Sequence, residues 1–543
     1  MANASQWYKD AVFYEVSIRT FQDGNGDGLG DFVGLTSRLD YIKELGVDCI
    51  WILPMYPSPL RDDGYDISDY KGIHPDLGTL DDFKRFLQEA KRRGLRVIAD
   101  LVLNHTSSDH PWFQEARKGP DNPYHDYYVW SDDDRKYAGT RIIFTDTEKS
   151  NWTWDESARR YYWHRFFSHQ PDLNYENPRV RQEMLDVFTF WMDMGLDGFR
   201  ADAIPYLFEE EGTSSENLPR THQYLKELRA YMDAHYPEAI MLGEANQWPD
   251  DVRAYFGDGD ELQISFHFPV MPRMYMALKK ESREPLEWIL GKTPDIPPDC
   301  QWATFLRNHD ELTLEMVTDE ERAYMYRVYA PEPRMKINVG IRRRLWPLVD
   351  GDRRQVEVLH SLLLSLPGSP VLYYGDEIGM GDNIHLPDRF GVRTPMQWDD
   401  SRNAGFSTAR PSELYLSVIT DPVYHYLAVS VQNAQAVPTS FYHWLRRLLA
   451  VRKRFRAFGR GSIRFVHPEA RQVFAYVRDF EGEAVLVVNN LSGKALAVDL
   501  PLSPWQGARA LEILGETPFP EVTQAPYRLS LAPYGFYWFH LTR

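Results

Sequence analysis

The sequence predicts an α/β protein: a (β/α)8 barrel with a subdomain inserted after its third strand and an antiparallel β-sandwich domain at its C-terminal end. Strand-length apolar runs alternate with helix-length segments until eight strands are counted, the pattern of a parallel sheet closed into a barrel. The interval from Thr106 to Pro171 is too long for a βα loop and rich in Trp, Tyr and Asp, so it forms a separate unit over the barrel mouth. From about Arg456 the texture changes to short alternating runs, such as Val473 to Val477, Ala484 to Val488 and Tyr534 to Phe539, which mark an antiparallel sheet. The expected boundaries are 1–105 and 173–455 for the barrel, 106–172 for the subdomain and 456–543 for the C-terminal domain.

In chain order, Ala11 to Phe21 reads as the first strand, and a helix from Leu35 to Leu45 follows, closed by Gly46. Cys49 to Pro54 is the second strand, Leu80 to Arg93 a helix closed by Gly94, and Arg96 to Leu103 the third strand. After the subdomain, Asn177 is placed to cap a helix from Pro178 to Met194, with proline in the first turn and Gly195 at the end. Gly198 to Asp202 is the fourth strand. A helix near Gln223 to Ala234 precedes the fifth, Ala239 to Gly243; the last three are Leu262 to Phe268, Trp302 to Leu306 and Pro370 to Tyr374. Asp310 to Asp352 and Asp376 to Asp421 are further long excursions at the same rim, positioned to form a lid.

The charge balance, 61 basic against 79 acidic residues for a net −18, disfavours nucleic acid and anionic membrane surfaces as partners. The 16 Trp and 32 Tyr suit stacking on sugar rings, although large aromatic cores have the same composition. Two cysteines, Cys49 and Cys300, imply no disulfide framework. The first residues carry no apolar signal core, and no run of about 18 apolar residues occurs, so a soluble cytoplasmic protein is expected.

In such a barrel, chemistry sits at the C-terminal ends of the strands. The third strand ends Asp100-Leu101-Val102-Leu103-Asn104-His105, the fourth with Arg200 and Asp202, the fifth with Gly243-Glu244-Ala245-Asn246, and the seventh with Arg307-Asn308-His309-Asp310. Side chains alternate along a strand, so Arg200 and Asp202 share a face, and the guanidinium is expected to keep Asp202 ionised, as a nucleophile requires. Glu244 has no basic neighbour in sequence and suits a raised pKa and a general acid/base role. Two carboxyl groups with separated roles are what glycosidic chemistry uses. Asp310 is placed to bind sugar hydroxyls and distort the ring, with His105 and His309 donating to the same sugar.

Asp100-x-x-x-Asn104-His105, Gly198-Phe199-Arg200-x-Asp202, Gly243-Glu244 and Asn308-His309-Asp310 resemble, in order, the four signature regions of the α-amylase superfamily. The resemblance implies Asp202 as nucleophile, Glu244 as acid/base and Asp310 as third carboxylate. Asp62 to Tyr70 resembles the segment of the α-glucosidase and isomerase branch that closes the pocket over the terminal glucose. That match implies Asp62 on the distal hydroxyls, Tyr65 stacked on the ring, and Arg393 paired with Asp62. The runs Gly243 to Pro249, Phe144 to Glu148, Asn151 to Asp155 and His164 to Gln170 are similar to those of members that interconvert maltose and trehalose, which adds Phe166, Gln170 and Asn246 to the sugar-binding set. The substrates implied are small disaccharides, with a hydrolytic α-glucosidase or a sucrose isomerase as rival activities and a homo-oligomer compatible with the resemblance. A non-catalytic, membrane-anchored relative is disfavoured, since such a protein lacks the carboxylate set.

Asp23-Gly24-Asn25-Gly26-Asp27-Gly28-Leu29-Gly30-Asp31 presents oxygens at alternate positions, a pattern suited to a hard cation, with a glycine-rich turn as the plain alternative. Relatives carry Ca²⁺ in this loop, through the side chains of Asp23, Asn25, Asp27 and Asp31 and the Leu29 carbonyl. The resemblance implies a second structural site using Asn104, Asp172 and Glu209 with the carbonyls of Tyr206 and Leu207. Mg²⁺ is admissible at one of the two, and no organic cofactor is expected.

Overall fold

The computed structural model describes residues 6–542. Eight parallel strands close into a barrel: β1 Phe13–Val16, β2 Cys49–Ile52, β3 Arg96–Val102, β4 Gly198–Asp202, β5 Ile240–Gly243, β6 Ile264–Phe266, β7 Gln301–Phe305 and β8 Ser369–Tyr373. Each neighbours the next in chain order, and β8 pairs with β1 to complete the ring. The strands are near-continuous apolar runs because barrel interior and helical layer bury both faces.

β1 is shorter than its apolar run suggested. Its partner β2 offers only Cys49–Ile52 before Pro54, so beyond Val16 the backbone has no ladder to join and turns into a short helix, Ile18–Phe21. The single helix expected over Leu35 to Leu45 is two, Phe32–Ser37 and Leu39–Leu45, with the break at Arg38, whose guanidinium stacks on Trp398 at 3.9 Å. Elsewhere local signals agree with the structure. The helix Pro178–Met194 begins with the Asn177 side chain accepting from Arg179 N–H and ends at Gly195 in a left-handed conformation. Leu80–Arg92 opens with a Thr79/Asp82 capping box.

Between β3 and β4, a small antiparallel sheet of Trp130–Ser131, Arg160–Trp163 and Trp152–Asp155 packs around Val129, Trp152 and Trp163. The β7–β8 excursion carries the helix Asp319–Tyr329 and a second small sheet, Leu312–Thr313, Gly340–Ile341 and Lys336–Ile337. At the C-terminal end a six-stranded antiparallel sheet is accompanied by a two-stranded one, Leu496–Leu500 with Tyr527–Leu531. Alternation along Val473–Phe480 divides its side chains: Phe474 and Tyr476 join the barrel core, while Val473, Ala475 and Val477 join the domain's own core. Among the described residues no helix is long and apolar enough to cross a membrane.

Gly198 opens β4 at φ 146°, and a Cβ there would stand 2.0 Å from the Ile240 carbonyl oxygen. Gly198→Ala is therefore expected to lower stability by more than about 3 kcal/mol, read as a shifted urea midpoint.

Candidate active site

The ends of β3, β4 and β5 meet over one guanidinium. Arg200 is 1% exposed; its Nη1 donates to Asp100 Oδ1 at 2.6 Å and Asp202 Oδ1 at 2.5 Å, and its Nη2 lies 2.7 Å from Glu244 Oε1. Trp51 of β2 lies 5.3 Å from the guanidinium carbon and donates its indole N–H to Asp100 Oδ2. Glu244, which has no basic neighbour in sequence, thus gains one in space.

The Asp202 and Glu244 carboxyls are close enough to share a hydrogen bond. Burial pushes Glu244 up to about 7, and the Asp202 and Asp310 charges add to this against the pull of Arg200. Burial also raises Asp202, contrary to the expectation that Arg200 alone would hold it ionised. Burial outweighs the guanidinium, whose single positive charge is divided among three carboxylates. The hydrogen bond between Asp202 and Glu244 raises Glu244 and lowers Asp202, so Glu244 is the member that holds the proton, up to about pH 7, and Asp202 is the anion.

Asp310 sits in the opposite environment. Burial works against its charge, but His309, Arg389 and Arg393 outweigh burial and hold it well below the usual carboxylate range. The partner of Asp62 is not Arg393, as the resemblance implied, but Arg389, whose Nη2 donates to Asp62 Oδ1 and Nη1 to Asp310 Oδ1, both at 2.8 Å. Arg393 lies behind, donating to Asp63 Oδ2 and Asp310 Oδ1 at 3.0 Å and to the His309 carbonyl at 2.9 Å. Gln170 is buried and donates to Asp62 Oδ2 at 2.8 Å, so it orients that carboxylate from outside the pocket wall.

Asp62, Tyr65, His105, Phe166, Asp202, Glu244, Asn246 and Asp310 line one pocket together. His309 lies beneath Tyr65, its ring stacked on the tyrosine at 5.4 Å, rather than on the lining itself. His105 is kept neutral by burial, pushed down to about 3, and its Nε2 has no protein partner. Asn246 donates to the Thr313 hydroxyl at 3.1 Å and leaves its own buried oxygen without a protein partner. Both atoms suit sugar hydroxyls. The wall also includes Ile143 and Phe144 from the subdomain, Thr313 and Glu315 from the β7–β8 excursion, and Arg389. None of these was singled out from sequence as a site residue. Arg389 follows Asp388 in an excursion with no strand to give it a register, so an isolated basic residue there carried no signal.

A family model described as the alpha amylase catalytic domain matches residues 16–332 and 342–461. The chain belongs to the α-amylase family. A model for the maltogenic amylase C-terminal domain matches residues 463–538. Among members of the family, the chain is 57% identical to a trehalose synthase/amylase of Mycobacterium tuberculosis (strain ATCC 25618 / H37Rv), over 99% of this chain and 90% of that one. It is 55% identical to a trehalose synthase of Pimelobacter sp. (strain R48), over 99% and 96% respectively. Among solved structures it resembles the trehalulose synthase of Pseudomonas mesoacidophila MX-45, with a TM-score of 0.79, 30% identity and coverage of 99% of each chain.

The two metal sites that α-amylase relatives imply differ in how their oxygens are held. Asn104 Oδ1, Asp172 Oδ2 and Glu209 Oε1 are buried oxygens without a protein partner. Burial pushes Asp172 up to about 8 and Glu209 well above the usual range, Glu209 being raised further by Asp172. Buried oxygens that would ionise only beside a positive charge fit a hard cation. In the Asp23–Asp31 loop every carboxylate oxygen of Asp23, Asp27 and Asp31 already accepts a hydrogen bond, mostly from the loop's own amides, and Asp31 also caps the helix Phe32–Ser37. These bonds pre-shape the loop, and the carboxylate oxygens of Asp27 and Asp31 keep lone pairs with which to meet a cation.

Glu244 must carry its proton to protonate a leaving group. Activity on a glucoside is therefore expected to fall with a one-proton slope as pH rises through about 7, while Glu244→Gln loses a factor of roughly 10²–10⁴ in kcat. A pH–rate profile of both proteins checks this.

Proposed function

We propose that the chain interconverts maltose and trehalose by a retaining double displacement. Adjacent carboxyl groups suit retention, because an inverting pair stands farther apart to admit a water between the general base and the anomeric carbon. Asp202 attacks the anomeric carbon of maltose while Glu244 gives its proton to the departing O4, leaving a β-glucosyl-enzyme and an enclosed glucose. The glucose turns until its O1 faces the anomeric carbon, Glu244 takes the O1 proton, and the second displacement forms the α,α-1,1 bond. Asp310 and Asp62, clamped together by Arg389, hold the hydroxyls of the transferred ring, with His105 beside them.

The carboxylates serve hydrolases and isomerases alike. The observation that carries the choice of isomerase is the near full-length similarity to trehalose synthases. The architecture is consistent with it: Ile143 and Phe144 of the subdomain and Thr313 and Glu315 of the β7–β8 excursion wall the pocket from two sides, which limits water reaching the intermediate. We further propose a structural Ca²⁺ held by Asn104, Asp172 and Glu209, with the Tyr206 and Leu207 carbonyls completing the set, where the subdomain joins the barrel. A cytoplasmic location accords with small disaccharide substrates.

Incubation with maltose alone, with products resolved by anion-exchange chromatography, is expected to give trehalose in excess of free glucose, and the reverse reaction from trehalose. Glucose alone, at about two per maltose consumed, would identify a hydrolase. Asn246→Ala is expected to raise the share released as free glucose several-fold; an unchanged product ratio would count against a role in holding the turning sugar. Removal of divalent ions with EDTA is expected to lower Tm by at least ~5 °C, with recovery on adding Ca²⁺ and no such response in Asp172→Ala.

A further inference from the structure

Glu15 lies within β1, in the apolar run Val12-Phe13-Tyr14-Glu15-Val16, and is fully buried. Its Oε1 accepts from the His309 backbone N–H at 3.2 Å and from the ring Nδ1. With Nδ1 donating to β1, the other ring nitrogen faces the site: Nε2 is 3.1 Å from Asp310 Oδ2 and 2.8 Å from the Tyr65 hydroxyl. An ionised carboxylate only accepts hydrogen bonds, so Nε2 carries a proton as well. His309 is thus an imidazolium between two carboxylates, fixed in orientation by the parallel Tyr65 ring and by Trp51, edge-on at 5.8 Å.

We propose that Glu15 is a positioning residue for the sugar-binding carboxylate: by accepting the hydrogen bond from His309 Nδ1–H it turns Nε2–H onto Asp310 and Tyr65 and sets how both face the sugar. The inference rests on the reading of Asp310 as a group that binds the transferred ring.

The groups facing His309 are Glu15 from β1, Tyr65 from the segment after β2, Asp100 from β3, Asp310 from its own loop, and Arg393, which donates to the His309 carbonyl. Glu15 is in turn faced by Tyr373 and Asp376 at the end of β8. Burial disfavours the charge on His309, but Asp310 and Glu15 overcome it and push the ring up to about 9. Replacing Glu15 by the isosteric glutamine keeps an acceptor for Nδ1–H and removes one of the two anions, so His309 loses its Nε2 proton closer to neutrality. A lone pair then faces the Asp310 carboxylate and repels it from its place.

The test is the slope of log kcat/KM for maltose against pH, from about pH 5 to 10, in wild type and Glu15→Gln. Wild type is expected to lose one proton's worth of activity, about tenfold per unit, between the Glu244 transition and about pH 9, where His309 itself begins to titrate. Glu15→Gln is expected to match it most nearly in acid and to steepen toward two protons, about a hundredfold per unit, in the alkaline limb. Loss by the same factor at every pH, or no loss, overturns the proposal. If Glu15→Gln does not fold, Glu15→Asp, which retains the charge on a shorter stem, carries the test: a one-proton slope with reduced kcat supports the proposal, while a two-proton slope or wild-type kcat overturns it. Wild type that releases only glucose would refute the isomerase reading and leave the slope comparison valid, since Asp310 binds the same ring in hydrolysis.

Discussion

The active site depends on one shared charge. Arg200 places a single buried guanidinium against acids from three successive strands, Asp100 of β3, Asp202 of β4 and Glu244 after β5. Burying charge costs several kcal/mol per ion unless it is paired and hydrogen-bonded. One cation cannot fully offset the burial of three neighbouring carboxyls, so the cluster retains a proton up to about pH 7. The reaction needs one anion and one acid side by side, and this charge deficit supplies them. The register Asp100↔Arg200 also fixes the guanidinium in the barrel wall, where neighbouring ladders limit its movement.

At the opposite wall several cations meet on one carboxylate. Asp310 is contacted by two guanidinium groups, shared with Asp62 and Asp63, and by the His309 ring, and burial is outweighed. Identical side-chain chemistry thus gives a proton-holding pair on one side of the sugar and a permanently ionised acceptor on the other, set by how many cations each carboxylate meets. Arg389 joins the walls of the pocket through Asp62 and Asp310, so the residue that recognises the far end of the sugar is coupled to one beside the reacting carbon.

Much of this was legible in the sequence because a parallel barrel places strand ends at a common rim: once the strands were counted, Asp202, Glu244 and Asp310 had to converge. Alternation correctly put Arg200 and Asp202 on one face, yet could not show that Arg200 is shared, and so the direction of the Asp202 shift was misjudged. Arg389 was missed and Arg393 given its partner because both sit in an excursion without regular structure, where four residues of separation do not specify which guanidinium reaches which acid. Glu15 was hidden for another reason. An acid inside the β1 run is a conspicuous local conflict, but its resolution is a histidine just beyond β7, two strands along the ring and 294 residues later in the chain, a contact no local pattern encodes.

The cover of the pocket follows a different rule from its floor. The subdomain meets the β7–β8 excursion through Arg141, which donates to Glu315 at 2.8 Å and also to Glu216 of the loop after β4, and through Asp146, which accepts from Asn338 N–H at 2.8 Å. Such a seam can part and exchange its hydrogen bonds for water without exposing apolar core, whereas the Arg200 cluster cannot be solvated without disturbing the barrel. Rigidity is thus placed where charges must be held to within tenths of an ångström, and a separable polar contact where a disaccharide must enter and leave. An apolar seam of similar extent would exclude water equally well but would oppose opening through the area it buries. Hydrogen bonds across the seam are therefore what a site requires when it must be closed during transfer and open between turnovers.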